Sequence, residues 1–293
     1  MLKKFKTLAL LATISAASLS VNAAPERVGD FNLIDQEGTA HQLSKYAYQN
    51  AVVFISQANS CSLNQKDFTE YKILKTKLEP LGVSIVMINA SHDDDADSVR
   101  RLHDTFNIEL PVLLDDTQLV AENLQISKAG EVVVVDPKRM SVLYRGPLDT
   151  PPRGGGRVPG TTYIADAIEA AQSDTRNLDT VVVDFEAPAD CQLEFPAKQL
   201  HAQNVPDYET EVAPILIERC TGCHIEGGIG PFAMNSHQMI QGWSPMIREV
   251  LLTKRMPPAQ VDPTIRHFDN ARNMPDEEVQ TLVHWIDAGA PRE

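Results

Sequence analysis

The feature that most constrains this chain is a Cys-x-x-Cys-His motif, which runs from Cys220 to His224. This spacing is the attachment signature of a c-type haem. In such sites two thiols add to the haem vinyl groups, and the adjacent histidine binds the iron. Cysteines three residues apart lie on one side of a helical turn, so both can reach one edge of a flat ligand. The motif therefore predicts one covalent haem c, held by Cys220 and Cys223, with His224 as the proximal iron ligand.

The N-terminus has the three parts of an export signal. Lysines among the first six residues are followed by an apolar run, Leu8 to Leu19, and by a cleavage triplet, Val21-Asn22-Ala23. We therefore expect residues 1–23 to be a signal peptide and the mature protein to be periplasmic, where covalent haem attachment takes place in bacteria. The apolar run is too short to span a membrane, and no other segment approaches the required length.

The formal net charge of the 293-residue chain is -14 at pH 7. Nucleic acid and anionic membrane surfaces are poor partners for so acidic a protein, because like charges repel. The same charge suits long-range attraction to a basic protein. We therefore expect the partner to be another redox protein.

Between the export signal and residue 171, buried strands alternate with amphipathic helices. Continuous β-branched runs predict strands covered on both faces. The predicted strands are residues 51–55, 83–88, 111–114, 131–136 and 141–145. Apolar residues spaced by three and four predict helices. These are residues 64–78, 97–106, 120–124 and 162–171. The alternation predicts an α/β domain with a mixed sheet.

Cys61 stands where the first of these helices is predicted to begin. A helix N-terminus lowers the pKa of a nearby thiol, so Cys61 is a candidate catalytic thiol. Cys61 and Cys191 are the two cysteines outside the haem motif, and in an oxidising compartment they are candidates for a disulfide. An inert, buried Cys61 is the third alternative.

The order of elements resembles the thioredoxin-like fold in its redoxin branch, over about Arg27 to Ala171. The motifs of that family are incomplete. Cys61-Ser62-Leu63-Asn64 lacks the second cysteine of a dithiol, and Phe54 and Ala58 replace the proline and the threonine or serine that precede a peroxidatic cysteine. Ala129-Gly130-Glu131 stands where a cis-proline is usual. The resemblance therefore implies a degenerate domain for docking or redox sensing.

After a proline-containing stretch without clear periodicity, the remaining chain is predicted to be all-helical. Helices are expected before the haem motif, near residues 239–253, and from Pro275 onward, where a proline and three acidic residues mark a helix start. This order of helices around a haem motif resembles that of a class I cytochrome c. The predicted parts are a signal peptide at 1–23, a thioredoxin-like domain at 26–185, a linker at 186–206 and a monohaem cytochrome c-like domain at 207–293.

A c-type haem iron takes a methionine or a second histidine as its sixth ligand. Met256 precedes Pro257-Pro258, and two prolines keep a methionine at that place out of a helix. Met256 is therefore the candidate distal ligand, with Met234 and Met274 as alternatives and a core position as the other explanation for Met256. Two methionines on a predicted helix are expected in the core, namely Met239 and Met246. The histidines outside the motif have no metal-ligand spacing and are expected at the surface.

The C-terminal part resembles bacterial redoxin–cytochrome c fusion proteins in four blocks. The blocks are Val212-Ala213-Pro214-Ile215-Leu216 with the haem motif, Gly227-Gly228-Ile229-Gly230-Pro231-Phe232, Arg255-Met256-Pro257-Pro258 and Trp285-Ile286-Asp287-Ala288-Gly289-Ala290-Pro291. Some relatives carry such a region upstream of a copper type II, ascorbate-dependent monooxygenase-like module, with a Gly-Cys in the linker that Asp190-Cys191 resembles. Here Ala259-Gln260 replaces the Trp-His that the family has after its third block.

This resemblance implies a periplasmic electron carrier with one haem c, ligated by His224 and Met256. A separate copper monooxygenase-like protein is a candidate partner. The alternative is an oxidoreductase, either a thiol-dependent peroxidase or a disulfide oxidoreductase, in which Cys61 reacts and the haem exchanges the electrons. Thiol chemistry separates the two, because only the enzyme needs Cys61.

Overall fold

The computed structural model describes residues 26–150, 160–173, 179–261 and 268–292. The predicted signal peptide, residues 1–23, lies outside the described residues. Within those ranges, no helix is both long and apolar enough to cross a membrane. The described chain forms an N-terminal α/β unit and a C-terminal helical unit, joined by an ordered connection.

A mixed β-sheet forms the centre of the N-terminal unit. Its strands are β1 (Asn32–Asp35), β2 (Ala40–Gln42), β3 (Ala51–Gln57), β4 (Val83–Asn89), β5 (Val112–Leu114), β6 (Val132–Asp136), β7 (Ser141–Gly146) and β8 (Val181–Val182). In space they follow the order β2-β1-β5-β4-β3-β6-β7-β8. β3 is parallel to β4 and antiparallel to β6. Every residue of β3 and β6 is buried, because both faces of the central strands are covered.

In the part of the chain that the structure describes, four α-helices belong to the N-terminal unit. They are α1 (Ser62–Leu78), α2 (Ala96–Phe106), α3 (Leu119–Asn123) and α4 (Tyr163–Gln172). Phe68 and Tyr71 of α1 pack with Val99 of α2 and Ile164 of α4 in one buried cluster on the sheet. The predicted α/β architecture is therefore confirmed, with helix ends within two residues of the predicted ones.

The connection between the units is more regular than the predicted linker. It contains helix α5 (Pro196–Gln203), which begins with a proline. No side chain of α5 is fully buried. The stretch predicted as a linker, residues 186–206, therefore contains an eight-residue helix in a part of the sequence without clear periodicity.

The C-terminal unit is helical. A π-helical turn at Tyr208–Val212 leads into α6 (Ala213–Arg219), which is followed by α7 (His237–Leu252) and α8 (Asp276–Asp287). Helix α7 continues through Pro245, which has no N–H to offer the Gln241 carbonyl. The Ser244 hydroxyl donates to that carbonyl instead, at 2.8 Å. The Gln241 carbonyl thus keeps a hydrogen-bond donor although the helix continues through a proline.

The two units share one hydrophobic core. Trp285 and Ile247 of the C-terminal helices belong to the same buried cluster as Phe54 of β3 and Leu124 next to α3. Val53, the neighbour of Phe54, points to the opposite face of the sheet, as alternation along a strand requires. The helical unit is therefore packed against the α/β unit rather than tethered to it.

Candidate functional site

The Cys-x-x-Cys-His motif begins at the C-terminal end of α6. Arg219, the last residue of α6, donates from Nε and Nη2 to the two carboxylate oxygens of Glu278 on α8, at 2.7 and 2.8 Å. Such a paired, charge-assisted contact fixes the end of the helix. The backbone N–H groups of Cys223 and His224 both donate to the Cys220 carbonyl, at 3.1 Å. The motif is therefore a tight turn anchored to α8.

The loop that follows the motif holds the His224 ring. Nδ1 of His224 donates to the Phe232 carbonyl oxygen at 3.0 Å, because a carbonyl can only accept. With the proton on Nδ1, the lone pair of Nε2 is free. Gly230 packs so closely that a Cβ atom there would lie 2.7 Å from Nδ1. Phe232 also contacts the imidazole ring and stacks on Trp243, with ring centroids 4.8 and 4.6 Å apart. The loop thus holds the His224 ring through Nδ1, which leaves Nε2 available for another partner.

Cys220 and Cys223 are free and half-buried. Burial raises the pKa of the Cys220 thiol to about 11, so it keeps its proton at neutral pH. Nη1 of Arg272 lies 3.4 Å from Cys223 Sγ, and the Arg272 N–H donates to the Ala259 carbonyl at 3.4 Å. Arg272 therefore joins the loop after Met256 to the motif.

Met256 lies between α7 and α8 with 39% of its surface exposed. Its N–H donates to the Val250 carbonyl at 3.2 Å, which folds the residue back on the end of α7. Of the alternative distal ligands, Met274 is buried and Met234 packs against the core. Met256 is the one of the three whose side chain is exposed.

Large apolar side chains near the motif face solvent. Ile217, Ile225 and Ile229 are all exposed, Ile229 to 88%. Such side chains, with two free thiols and a free imidazole nitrogen beside them, fit a flat apolar group such as a c-type haem. Across the described ranges, no three His, Cys, Asp or Glu side chains converge on a metal-sized site. A haem iron needs only axial protein ligands, because the porphyrin supplies the other four.

Cys61 directly precedes α1 and forms a disulfide with Cys191. The two Cα atoms are 4.4 Å apart, although 130 residues separate them in sequence. Of the three alternatives for Cys61, the structure shows the disulfide. Asn64, at the place of a second thioredoxin cysteine, is buried and donates to the Ser56 carbonyl and the Tyr71 hydroxyl. Cys61 in this state is not a free nucleophile.

Several expectations for single residues are wrong. Met239 and Met246 are exposed on the outer side of α7 rather than in the core. His103 is buried against Phe68, since α2 packs on α1 there. His267 lies outside the described residues.

A histidine pair at the junction of the two units escaped sequence analysis. Nδ1 of His201 on α5 lies 2.7 Å from Nδ1 of His284 on α8. Nε2 of His284 lies 3.1 Å from the carboxylate of Glu122 on α3. A cleft of about 470 Å³ opens beside these three residues. Because 83 residues separate the two histidines, no local spacing pattern could have indicated the pair.

Comparison with known proteins identifies the N-terminal unit. Residues 24–145 match the AhpC/TSA family. The N-terminal unit is a thioredoxin-like domain of the redoxin type. No curated protein matches the chain.

Solved structures similar to the chain include three bacterial proteins. A hypothetical protein from Sinorhizobium meliloti 1021 has 18% identity and a TM-score of 0.43 over 54% of this chain and 91% of its own. Peroxidoxin BcpB from Mycobacterium tuberculosis has 19% identity and a TM-score of 0.38, over 52% of this chain and 97% of its own. A thiol:disulfide interchange protein of the thioredoxin family from Chlorobium tepidum has 14% identity and a TM-score of 0.41, over 52% and 100%.

The family match ends at residue 145, so it describes the redoxin-like domain alone. The predicted helical unit is present after it, in α6, α7 and α8. Its relation to class I cytochrome c stays a prediction.

Proposed function

We propose that this protein is a periplasmic electron-transfer protein that carries one covalent haem c. Cys220 and Cys223 would hold the haem through thioether bonds, His224 would be the proximal iron ligand, and Met256 the distal ligand. The observation that carries the proposal is the state of His224, which donates from Nδ1 to Phe232 and keeps Nε2 free beside two free thiols. When bound, haem iron takes up and releases one electron.

The residues around His224 would keep the proximal ligand in one orientation. The Phe232 carbonyl accepts a hydrogen bond from Nδ1 and so holds the ring in one tautomer. Gly230 leaves room for the ring, and the Arg219–Glu278 contact ties the motif to α8. A ligand fixed in this way moves little when its metal changes charge, which suits rapid electron transfer.

Met256 would close the sixth position with a thioether. Methionine and histidine together favour a high reduction potential and leave no open place for oxygen. The exposure of the Met256 side chain and the Arg272 contact between its loop and the motif support this assignment.

The acidic surface would guide a basic redox partner to the protein. A separate copper monooxygenase-like protein is one candidate partner. The redoxin-like domain would serve as the docking or redox-sensing module, since its cysteine is tied in a disulfide. The proposed periplasmic location rests on the predicted export signal in residues 1–23.

The test is a pyridine haemochrome assay on protein exported from a host that attaches c-type haem. We expect about one haem for each chain, retained after denaturation, because thioether bonds survive it. The double variant Cys220→Ser, Cys223→Ser should lose the haem. The matched control is Cys61→Ser, Cys191→Ser, which removes the other cysteine pair and should keep it. A wild-type protein without covalent haem in that host would refute the proposal.

A second candidate function is thiol–disulfide oxidoreduction. The observation that favours it is the disulfide of Cys61, a residue at the start of α1 in a redoxin-like domain. In that case Cys61 should be essential for turnover of a peroxide or a disulfide. Peroxide consumption that persists in Cys61→Ser excludes the peroxidase form of this candidate.

A further inference from the structure

Residues 184–194, here named the docked segment, lie along residues 127–129, the docking edge, in the manner of an added strand. The Leu193 N–H donates to a carbonyl of the edge at 3.2 Å, and the Cys191 carbonyl accepts from the Ala129 N–H at 2.7 Å. An antiparallel bridge lies between these two bonds. Proteins that bind peptides by strand addition use the same pattern, in which main-chain bonds give affinity and side chains give specificity.

The side chain of Asp190 meets the first turn of α1. Its carboxylate accepts from the Ser62 N–H at 3.3 Å and from the Ser62 hydroxyl at 3.2 Å. The Ser60 hydroxyl donates to the Asp190 carbonyl at 3.1 Å. An acidic group is favoured there, because the N-terminus of a helix carries partial positive charge.

Side chains of the redoxin-like domain clamp both ends of the docked segment. At one end, Nζ of Lys128 donates to the Asp184 carboxylate at 2.9 Å and to the Phe185 carbonyl at 2.7 Å. The same Nζ lies 4.4 Å above the Phe185 ring. At the other end, Nε2 of Gln118 donates to the Glu194 carbonyl at 2.7 Å. The domain thus holds the segment at both ends as well as around Asp190 and Cys191.

The disulfide lies under the middle of the docked segment. Cys61 and Cys191 are fully buried, in a cluster with Ala58 and Ala129. A thiol from outside can reach neither sulfur until the segment lifts. Any exchange at Cys61 therefore requires that an incoming chain replace the segment.

We propose that the docked segment is an internal ligand of a peptide-binding site, and that a cysteine-bearing extended peptide of a partner protein replaces it. The internal ligand indicates the pattern that the site recognises. The pattern is an acidic residue followed by a cysteine, then any residue and then an apolar residue, as in Asp190-Cys191-Gln192-Leu193. The proposal rests on the docking role assigned above to the redoxin-like domain and does not depend on the haem.

Replacement is a thiol–disulfide exchange, balanced without any further oxidant. The partner's thiolate attacks Sγ of Cys61, and a new S–S bond forms as the bond to Cys191 breaks. Cys191 leaves as a thiolate and takes a proton from water. The partner's sulfur is oxidised and the Cys191 sulfur is reduced, so the electrons balance.

Because the docked segment belongs to the same chain as the docking edge, it competes strongly with any peptide from a partner protein. A segment attached by a short connection acts at an effective concentration on the order of millimolar. A partner peptide must therefore match the docking edge well, or be held nearby by other contacts. The site is closed to thiols that lack the pattern.

The test uses the full-length chain with Cys191→Ser, which frees Cys61. A synthetic peptide with the sequence of residues 184–194 carries its cysteine as a 2-thiopyridyl disulfide, and the release of pyridine-2-thione reports the reaction. Peptide mapping measures the adduct on Cys61 separately from other cysteines. We expect this peptide to react about ten-fold or more faster than a scrambled peptide of the same composition. Adding Lys128→Ala should reduce that advantage.

Equal rates for the two peptides would overturn the proposal. A Cys61 that reacts with neither peptide would also overturn it, because the segment would then be a fixed part of the fold. If the Cys191→Ser variant does not fold, the proposal is tested on the wild-type chain instead. It is incubated with the thiol form of the peptide, quenched in acid and mapped for a Cys61–peptide disulfide, whose absence would refute the proposal. None of these measurements involves haem, so this proposal and the electron-transfer proposal can fail independently.

Discussion

The rings of His201 and His284 meet at the junction of the redoxin-like domain and the helical unit, with their Nδ1 atoms 2.7 Å apart. A hydrogen bond between two Nδ1 atoms needs a proton on only one of them. The other nitrogen of His284 faces the carboxylate of Glu122, and Nζ of Lys198 lies 4.0 Å from the same carboxylate. A neutral His201 can accept at Nδ1 in this contact.

We expect this junction to weaken below about pH 6.5. Burial, and then the charge of His284, lowers the pKa of His201 below its ordinary value of 6.5. In acid the unfolded chain therefore binds more protons at this group than the folded chain. The stability that the group contributes is complete above pH 6.5 and is lost as the pH falls. Urea unfolding of the wild type and of His201→Asn, whose amide oxygen can still accept, should show a larger acid loss for the wild type. Equal losses would contradict this prediction.

Asp115 should have the opposite pH dependence. It is buried at the end of β5, where its carboxylate accepts from the Ala121 N–H at 2.7 Å. Burial raises the pKa of Asp115 from 3.8 to about 7, so the folded chain keeps this proton to a higher pH than the unfolded chain. The stability contribution is present below pH 3.8 and is lost as the pH rises towards about 7. Asp115→Asn cannot ionise, so it should gain stability relative to the wild type between about pH 4 and about pH 8. A difference in unfolding free energy that does not change over this range would argue against the raised pKa.

Met256→Ala should abolish the weak near-infrared band that arises from sulfur-to-ferric-iron charge transfer, provided that the wild type shows it. The reason is that the proposed distal thioether is removed and nothing replaces the sulfur. Met246→Ala is the matched control, because Met246 is also exposed but lies on α7. A band that survives Met256→Ala, or that disappears in the control alone, would disprove the assignment.

Gly230→Ala should disturb the proximal histidine. The new methyl group would lie 2.7 Å from Nδ1 of His224 and 3.0 Å from the Cys223 carbonyl oxygen, so the ring or the loop must shift. We expect a lower covalent haem content, and an unfolding free energy lower by about 1–3 kcal/mol, the usual range for overpacking. Gly222→Ala is the control, since a Cβ atom at that position meets nothing within 4 Å. The two variants are compared by haemochrome content and by urea unfolding; the same result for both would mean that Gly230 does not position His224.

Local patterns predicted the parts of the molecule that local interactions determine. The run at residues 51–55 predicted a strand buried on both faces, and β3 has this property. Pro275 and the acidic residues after it predicted the start of α8 to within one residue. Helix α5 was missed because its sequence has no clear apolar periodicity, and none of its side chains is fully buried in the structure.

Contacts between distant residues could not be predicted in the same way. The pairing of Cys61 with Cys191 stayed one of three alternatives, since the two cysteines are 130 positions apart in the sequence. The positions of Met239 and Met246 depended on which face of α7 meets the core, and two methionines do not define that face. The proposed haem-attachment residues form a contiguous motif, so they could be named from the sequence alone.

The shared core that contains Trp285 and Phe54 limits how the chain can be divided into fragments. Division of the chain between residues 186 and 206 would expose apolar side chains of this shared core on both fragments. We expect each fragment alone to be less soluble than the whole chain. The two halves are expected to melt together in one cooperative transition. Either half on its own would expose apolar side chains that the other half now covers.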